Sequence, residues 1–261
     1  MKKTLHYLNP FARHTPQKYQ LCGATDIKII LDTRGIDTDV FGQEELAYNL
    51  GSYIDKRDKK TFGTKLRTRA LNPGDPRISL MFGDFERPEL QGILREKYGL
   101  ETRVYRPSEI GNENIDKFLC EHIDLNDNVM INFRWDPFRG SKEGHFVLAV
   151  AYDEENRELY VADPSPVNPE YWKAKLERFV YAMLPLWKDK DKKKRERGFV
   201  VFSGQVHREK DNPEKIELFL KEVPNYKPFR IIPRRKEKSI PTDHMGERIK
   251  RTRDLHKIIL S

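Results

Sequence analysis

The chain has 261 residues, enough to bury a real core, and its 37% apolar and 34% charged residues imply a heavily charged surface. Two cysteines exclude a disulfide framework, and neither the Cys/His spacing nor the apolar runs suggest a zinc site or a membrane span. The formal charge of +8 is uneven: "KDKDKKKRER" (188–197) holds 7 Lys/Arg against 3 Asp/Glu and residues 207–261 hold 15 against 9, leaving the remainder nearly neutral.

In chain order, "MKKTLHYLNPFARH" begins with basic residues, but Pro10, Arg13 and His14 leave no apolar run for a signal peptide. The expectation is a cytoplasmic protein with both thiols reduced. "KYQLCGATDIKIIL" (18–31) puts Cys22 and Gly23 where a helix begins. Ile27, Ile30 and Leu31 recur at helical spacing, and Gly35 is a plausible C-cap. A cysteine at a helix start faces unpaired N–H groups and the positive end of the dipole, both of which favour the thiolate.

"QEELAYNLGSYI" (43–54) predicts a second helix, residues 55–77 are irregular, and "NPGDP" (72–76) is a turn cluster. "ERPELQGILREKYG" (86–99) predicts a helix ending at Gly99, and "ETRVY" (101–105) a short strand. "NIDKFLCEHI" (114–123) predicts an amphipathic helix carrying Cys120, which reads as structural because nothing nearby in sequence would activate it. "NVMINFRW" (128–135) predicts a strand.

"GHFVLAVAY" (144–152) and "ELYVADP" (158–164) are strand-like runs joined by the polar turn "DEENR" (153–157). Pairing symmetric about Glu154 puts His145 directly opposite Asp163, within reach for a carboxylate to hold an imidazole. A one-residue slip would separate them onto opposite faces. An early helix-start cysteine, then a strand histidine and an aspartate on the next strand, is the nucleophile, base and orienter of papain-like chemistry.

"CGATDIKIILDTRGI" and "GHFVLAVAYDEENRELYVADPS", with Trp172 and "RERGFVVFS" (195–203), resemble the phytochelatin synthase family of papain-like cysteine transpeptidases over about residues 15 to 204. The Cys-Gly and Gly-His-Phe pieces occur in C39-type cysteine peptidases as well. The resemblance implies an α+β, papain-like fold: a helical part packed on an antiparallel sheet, with residues 1–205 as catalytic domain and 206–261 as a basic C-terminal extension. It implies Cys22 as nucleophile, His145 as general base and acid, and Asp163 as its orienter. It further implies Asn132 and Arg197 as substrate-binding residues, Arg197 holding a γ-glutamyl end. No cofactor and no metal are expected.

Three departures stand out. Pro16 occupies the place of the family's oxyanion glutamine, so that role falls to Gln17, with Gln20 as fallback. Pro166 stands where the family has an arginine linked to the acceptor. The cysteine-rich region of eukaryotic members is absent. The expected reaction is therefore cleavage of the Cys-Gly bond of glutathione or a related γ-glutamyl peptide, with hydrolysis over transpeptidation. The competing readings are a C39-like peptidase on an ordinary peptide, and a non-catalytic papain-like module. An acidic partner or nucleic acid on the basic tail is the partner reading, against a merely solvated tail. No membrane partner is expected, and the oligomeric state stays open, a homodimer included.

Overall fold

The computed structural model describes residues 4–17, 21–36, 43, 46–47, 50, 80–140, 143–185 and 196–227. Most of the helix expected over 43–54, the turn at 72–76, Gln20, most of the basic run at 188–197 and residues 228–261 lie outside these. The class is α+β, as expected.

Seven strands form one antiparallel sheet: β1 (Leu5–Tyr7), β2 (Glu101–Tyr105), β3 (Asn128–Arg134), β4 (Gly144–Asp153), β5 (Glu158–Ala162), β6 (Tyr171–Lys175) and β7 (Phe199–Ser203). The order is β2-β7-β3-β4-β5-β6, with β1 also pairing β4. β4 is central because it is long: β3 pairs its first half, β1 its last residues, and β5 runs along the other edge. Residues 145–152 of β4 and all of β3 are buried, which explains their near-continuous apolar sequence.

Helix α1 (Cys22–Arg34) packs on β4. It is buried on nearly every side, with only Cys22, Lys28 and Asp32 partly exposed, so it is a core helix rather than an amphipathic surface one. Gly35 closes it in the left-handed conformation, as expected. Arg34 locks its end to the sheet, donating to Asn128 Oδ1 at 2.8 Å and to the carbonyls of Phe202, Asn126 and Gly204.

Helices α2 (Pro88–Tyr98) and α3 (Ile115–Asp124) match their expected ranges to within two residues. Gly99 caps α2 in the left-handed region. α3 lies against β1, β3 and β4. Strands β1, β6 and β7 and helices α4 (Leu176–Met183) and α5 (Pro213–Glu222) carry no expectation from the sequence. They are three to ten residues long.

The expected boundary at 205/206 is not where packing ends. Ile216, Phe219 and Leu220 of α5, with Val223 and Tyr226, belong to the same core as the sheet. Phe219 meets Tyr171 edge-on at 5.0 Å, and the backbones of Lys173, Pro224 and Tyr226 bond to one another. Burying each large apolar side chain contributes roughly 1.5–3 kcal/mol, so residues 213–226 help to hold the fold. Among the described residues, no helix is long and apolar enough to cross a membrane.

Candidate active site

Cys22 is the first residue of α1, and the preceding Leu21 offers no side-chain cap. The first-turn N–H groups and the positive helix end are therefore directed at Cys22 itself. Gly23 makes this placement tight: a Cβ there would stand 3.3 Å from Leu80 Cβ and 3.4 Å from the Phe146 ring. The close approach sets Cys22 beside His145, the neighbour of Phe146 on β4.

His145 Nε2 lies 2.7 Å from Asp163 Oδ1. The route to this contact differs from the expected one. Near the turn, β4 and β5 pair as Asp153↔Glu158 and Ala151↔Tyr160; beyond it they pair as Ala149↔Val161 and Leu148↔Ala162. Val150 is the extra residue of a bulge. Continuing the second register sets Asp163 opposite Val147, so His145 is its diagonal same-face neighbour, not its direct partner. Without the bulge Asp163 would oppose Leu148, on the wrong face for His145. The bulge supplies the parity that the site requires.

Asp163 is fully buried and accepts four hydrogen bonds: from His145 Nε2 and the Ser165 N–H at Oδ1, and from Asn168 Nδ2 and Trp172 Nε1 at Oδ2. Burial alone would raise its pKa, but the charge of His145 and these donors win, and the carboxyl lies below its ordinary value. Burial likewise disfavours the His145 cation. The Asp163 charge and bond, followed by those of Cys22, outweigh it and push His145 up to about 10. Trp135 stacks on the imidazole at 4.9 Å and 26°, and Phe133 meets it edge-on at 5.9 Å, fixing the ring plane.

The Cys22 thiol is raised by burial but lowered more by its bond to His145, by that residue's charge, and by the N–H groups of Phe146 and Gly23. The net shift is downward. With Nε2 held by Asp163, Nδ1 is the nitrogen left for sulfur. A thiolate–imidazolium pair is the form this surrounding favours.

The remaining expected residues converge on the same place. Asn132 donates from Nδ2 to the His145 carbonyl at 3.1 Å and accepts from Arg197 Nη1 at 2.8 Å. Arg197 crosses the start of β4 at Gly144, where a Cβ would meet the guanidinium and the arginine would have to shift. Among the described residues, Arg197 has no carboxylate at ion-pair distance. Burial and Arg134 lower its pKa, while Asp136 and Cys22 support its charge. Gln17 is held beside Asp163 by its N–H to the Pro164 carbonyl at 2.6 Å. Its side-chain Oε1 is buried and has no hydrogen-bond partner among the described residues.

Two features were not anticipated. The segment before Cys22 is tied to the sheet by His14, whose N–H donates to Tyr171 Oη at 2.7 Å and whose Nε2 bonds the Asp163 carbonyl at 2.9 Å. Asp26, one helical turn beyond Cys22, is fully buried with neither carboxylate oxygen hydrogen-bonded. Burial first, then the negative charges of Cys22 and Asp163, push its carboxyl well above the ordinary range despite His145. The i, i+4 spacing from Cys22 was the available signal for Asp26.

In this α+β fold a cysteine at a helix start faces a histidine on the sheet, which is held by an aspartate just past β5. No protein-family model matches the chain, and no curated protein matches it. Among solved structures it is similar to a Bacillus anthracis protein described as a C39-like peptidase, with a TM-score of 0.47 and 13% identity, over 78% of this chain and 100% of that one. So loose a likeness assigns no role to any residue.

Proposed function

We propose that this protein is a papain-like cysteine peptidase that cuts an amide bond through a thioester on Cys22. The contact chain Cys22–His145–Asp163, at the uncapped start of α1, carries this reading. The Cys22 thiolate adds to the substrate carbonyl, and the C=O electron pair moves onto oxygen. The Cys22 backbone N–H and the Gln17 amide hold that oxyanion. As the C–N bond breaks, the His145 imidazolium gives its proton to the leaving nitrogen, and the thioester forms. Water then attacks the thioester, His145 takes its proton, and the acid leaves with return of the thiolate. Asp163 stays ionised and keeps the imidazole in plane throughout.

One observation favours a narrower reading. Arg197 presents a largely buried cation near Cys22 without a carboxylate partner among the described residues, and its planar fork suits a free α-carboxylate. A γ-glutamyl donor such as glutathione, losing glycine, would supply that group. Pro166 in place of an acceptor-linked arginine favours hydrolysis over transfer to a second peptide.

The test is mass spectrometry of products from glutathione and from a set of unrelated peptides. Charged hydrogen bonds contribute roughly 1.5–3 kcal/mol, so Arg197→Ala should slow glutathione cleavage about ten- to a hundredfold. Peptides lacking the free α-carboxylate should hardly respond. If the parent cuts peptides but not glutathione, the narrower reading falls and the general one stands. Turnover that survives Cys22→Ala sinks both.

A further inference from the structure

The second cysteine also belongs to a cluster, at the far end of β4 from Gly144. Cys120 on α3, His6 on β1 and Glu154 just past β4 bring one sulfur, one imidazole nitrogen and one carboxylate oxygen within 4.8 Å of one another. These residues are separated by more than thirty positions at the least, so no sequence spacing announces them. The backbone fixes each. His6 sits opposite Tyr152 in the β1–β4 ladder, and the Glu154 N–H donates to the Thr4 carbonyl at 2.8 Å. α3 lies across both strands.

His6 is the informative member. The residue is 93% buried, at 7% exposure, and Nδ1 lies 2.8 Å from Asp124 Oδ2. A carboxylate there takes the Nδ1 proton as a hydrogen-bond donor, which leaves Nε2 as a bare lone pair. Nε2 is buried with no hydrogen-bond partner, 3.9 Å from Glu154 Oε2. That gap is too long for a hydrogen bond. It is close to the separation of roughly 3.4 Å that two nitrogen or oxygen ligands adopt around one tetrahedral zinc-sized ion. An imidazole oriented by a carboxylate on its other nitrogen is the usual outer arrangement of a metal-bound histidine.

We propose that His6, Cys120 and Glu154 form a binding site for a Zn²⁺-class divalent ion, with Asp124 orienting His6 and water as fourth ligand. Thiolate, imidazole and carboxylate together select a borderline-soft tetrahedral ion over Mg²⁺ or Ca²⁺. The partly exposed Glu154 leaves a path from solvent. The ion would tie β1 to α3 and to the end of β4, away from Cys22. Its role is to clip the N-terminal strand onto the sheet.

The test uses the full chain carrying Cys22→Ala, so that Cys120 is the only thiol. Titrated with Co²⁺ in a non-thiol reductant, it should show a near-ultraviolet thiolate-to-cobalt charge-transfer band and the visible bands of a four-coordinate ion. Both should saturate at one equivalent per chain and be displaced by Zn²⁺. His6→Gln and Cys120→Ser should each abolish the charge-transfer band. A second measurement needs no change at the site: Zn²⁺ should slow iodoacetamide labelling of Cys120 by at least about tenfold, and Mg²⁺ should not. No thiolate band, a band that survives either substitution, or Cys120 labelling indifferent to Zn²⁺ would overturn the site.

Discussion

The molecule holds two cysteine–histidine–carboxylate clusters, built from both of its cysteines. His145 meets Asp163 at 2.7 Å beside Cys22, and His6 meets Asp124 at 2.8 Å beside Cys120. The pairs are almost equal in length, yet their surroundings differ. Asp163 is fully buried and takes four hydrogen bonds, while the Asp124 side chain is 41% exposed. Cys22 opens a helix at its positive end, whereas Cys120 lies inside α3. The first setting favours the charged form of the thiol. In the second, a buried lone pair converges with a thiol and a carboxylate, which is the geometry of coordination. Residue types alone do not separate the two.

The largest expected difference is in turnover. Cys22→Ala should reduce peptide cleavage on the order of 10⁴-fold or more, because nucleophile and base act as one unit. Steady-state rates, with circular dichroism to verify the fold, check this. Substantial residual turnover would mean that Cys22 is not the nucleophile, and the contrast would collapse.

Next comes stability. Asp163→Ala leaves His145, Ser165, Asn168 and Trp172 with unpaired buried donors, and should cost about 3–5 kcal/mol. Asp124→Ala leaves the buried His6 Nδ1 donor unpaired and should cost about 1–3 kcal/mol. Urea unfolding of both variants measures the gap. Equal losses would show that burial does not distinguish the clusters.

The pH response sharpens the active-site half. Activity should rise as Cys22 ionises, below the ordinary thiol value of 9.0, and fall as His145 loses its proton near pH 10. Outside these limits the rate should change about tenfold per pH unit, with both limits belonging to the coupled pair. The same group carries a stability signature. His145 titrates near 6.5 when unfolded and near 10 when folded, so its contribution is complete below pH 6.5 and is lost as pH rises towards 10. An alkaline limb near pH 7 would show that Asp163 does not hold the imidazolium.

The smallest effect is at Asp26. Its folded pKa is raised, so the fold pays no penalty below 3.8 and a growing one as pH rises through the interval where only the unfolded chain ionises. Asp26→Asn removes that penalty. The variant should melt above the parent at neutral pH, with the difference closing as pH falls towards 3.8. A lower melting temperature at pH 7 would mean that the Asp26 proton is used in a contact.

Much of this was legible in the chain itself. The strand at 101–105, the helix stop at Gly99, the core strands β3, β4 and β5, and the helix beginning at Cys-Gly all follow from local pattern and capping chemistry. The residue types of the first cluster were legible as well, because Cys22, His145 and Asp163 each sit at a recognisable element. Their meeting was expected as well, but through a direct cross-strand pairing that the structure does not have. It depends on Val150 as an extra residue in β4, which shifts the β4–β5 register, and a bulge leaves no mark in an unbroken apolar run. The second cluster was invisible for a similar reason. His6, Cys120 and Glu154 look like a strand histidine, a helix cysteine and a turn glutamate, and only the packing of α3 across β1 and β4 joins them. Local sequence decides which elements form, since capping and periodicity act within a few residues. Register and packing decide which side chains meet, since those depend on how strands pair in the sheet and on contacts up to a hundred residues apart.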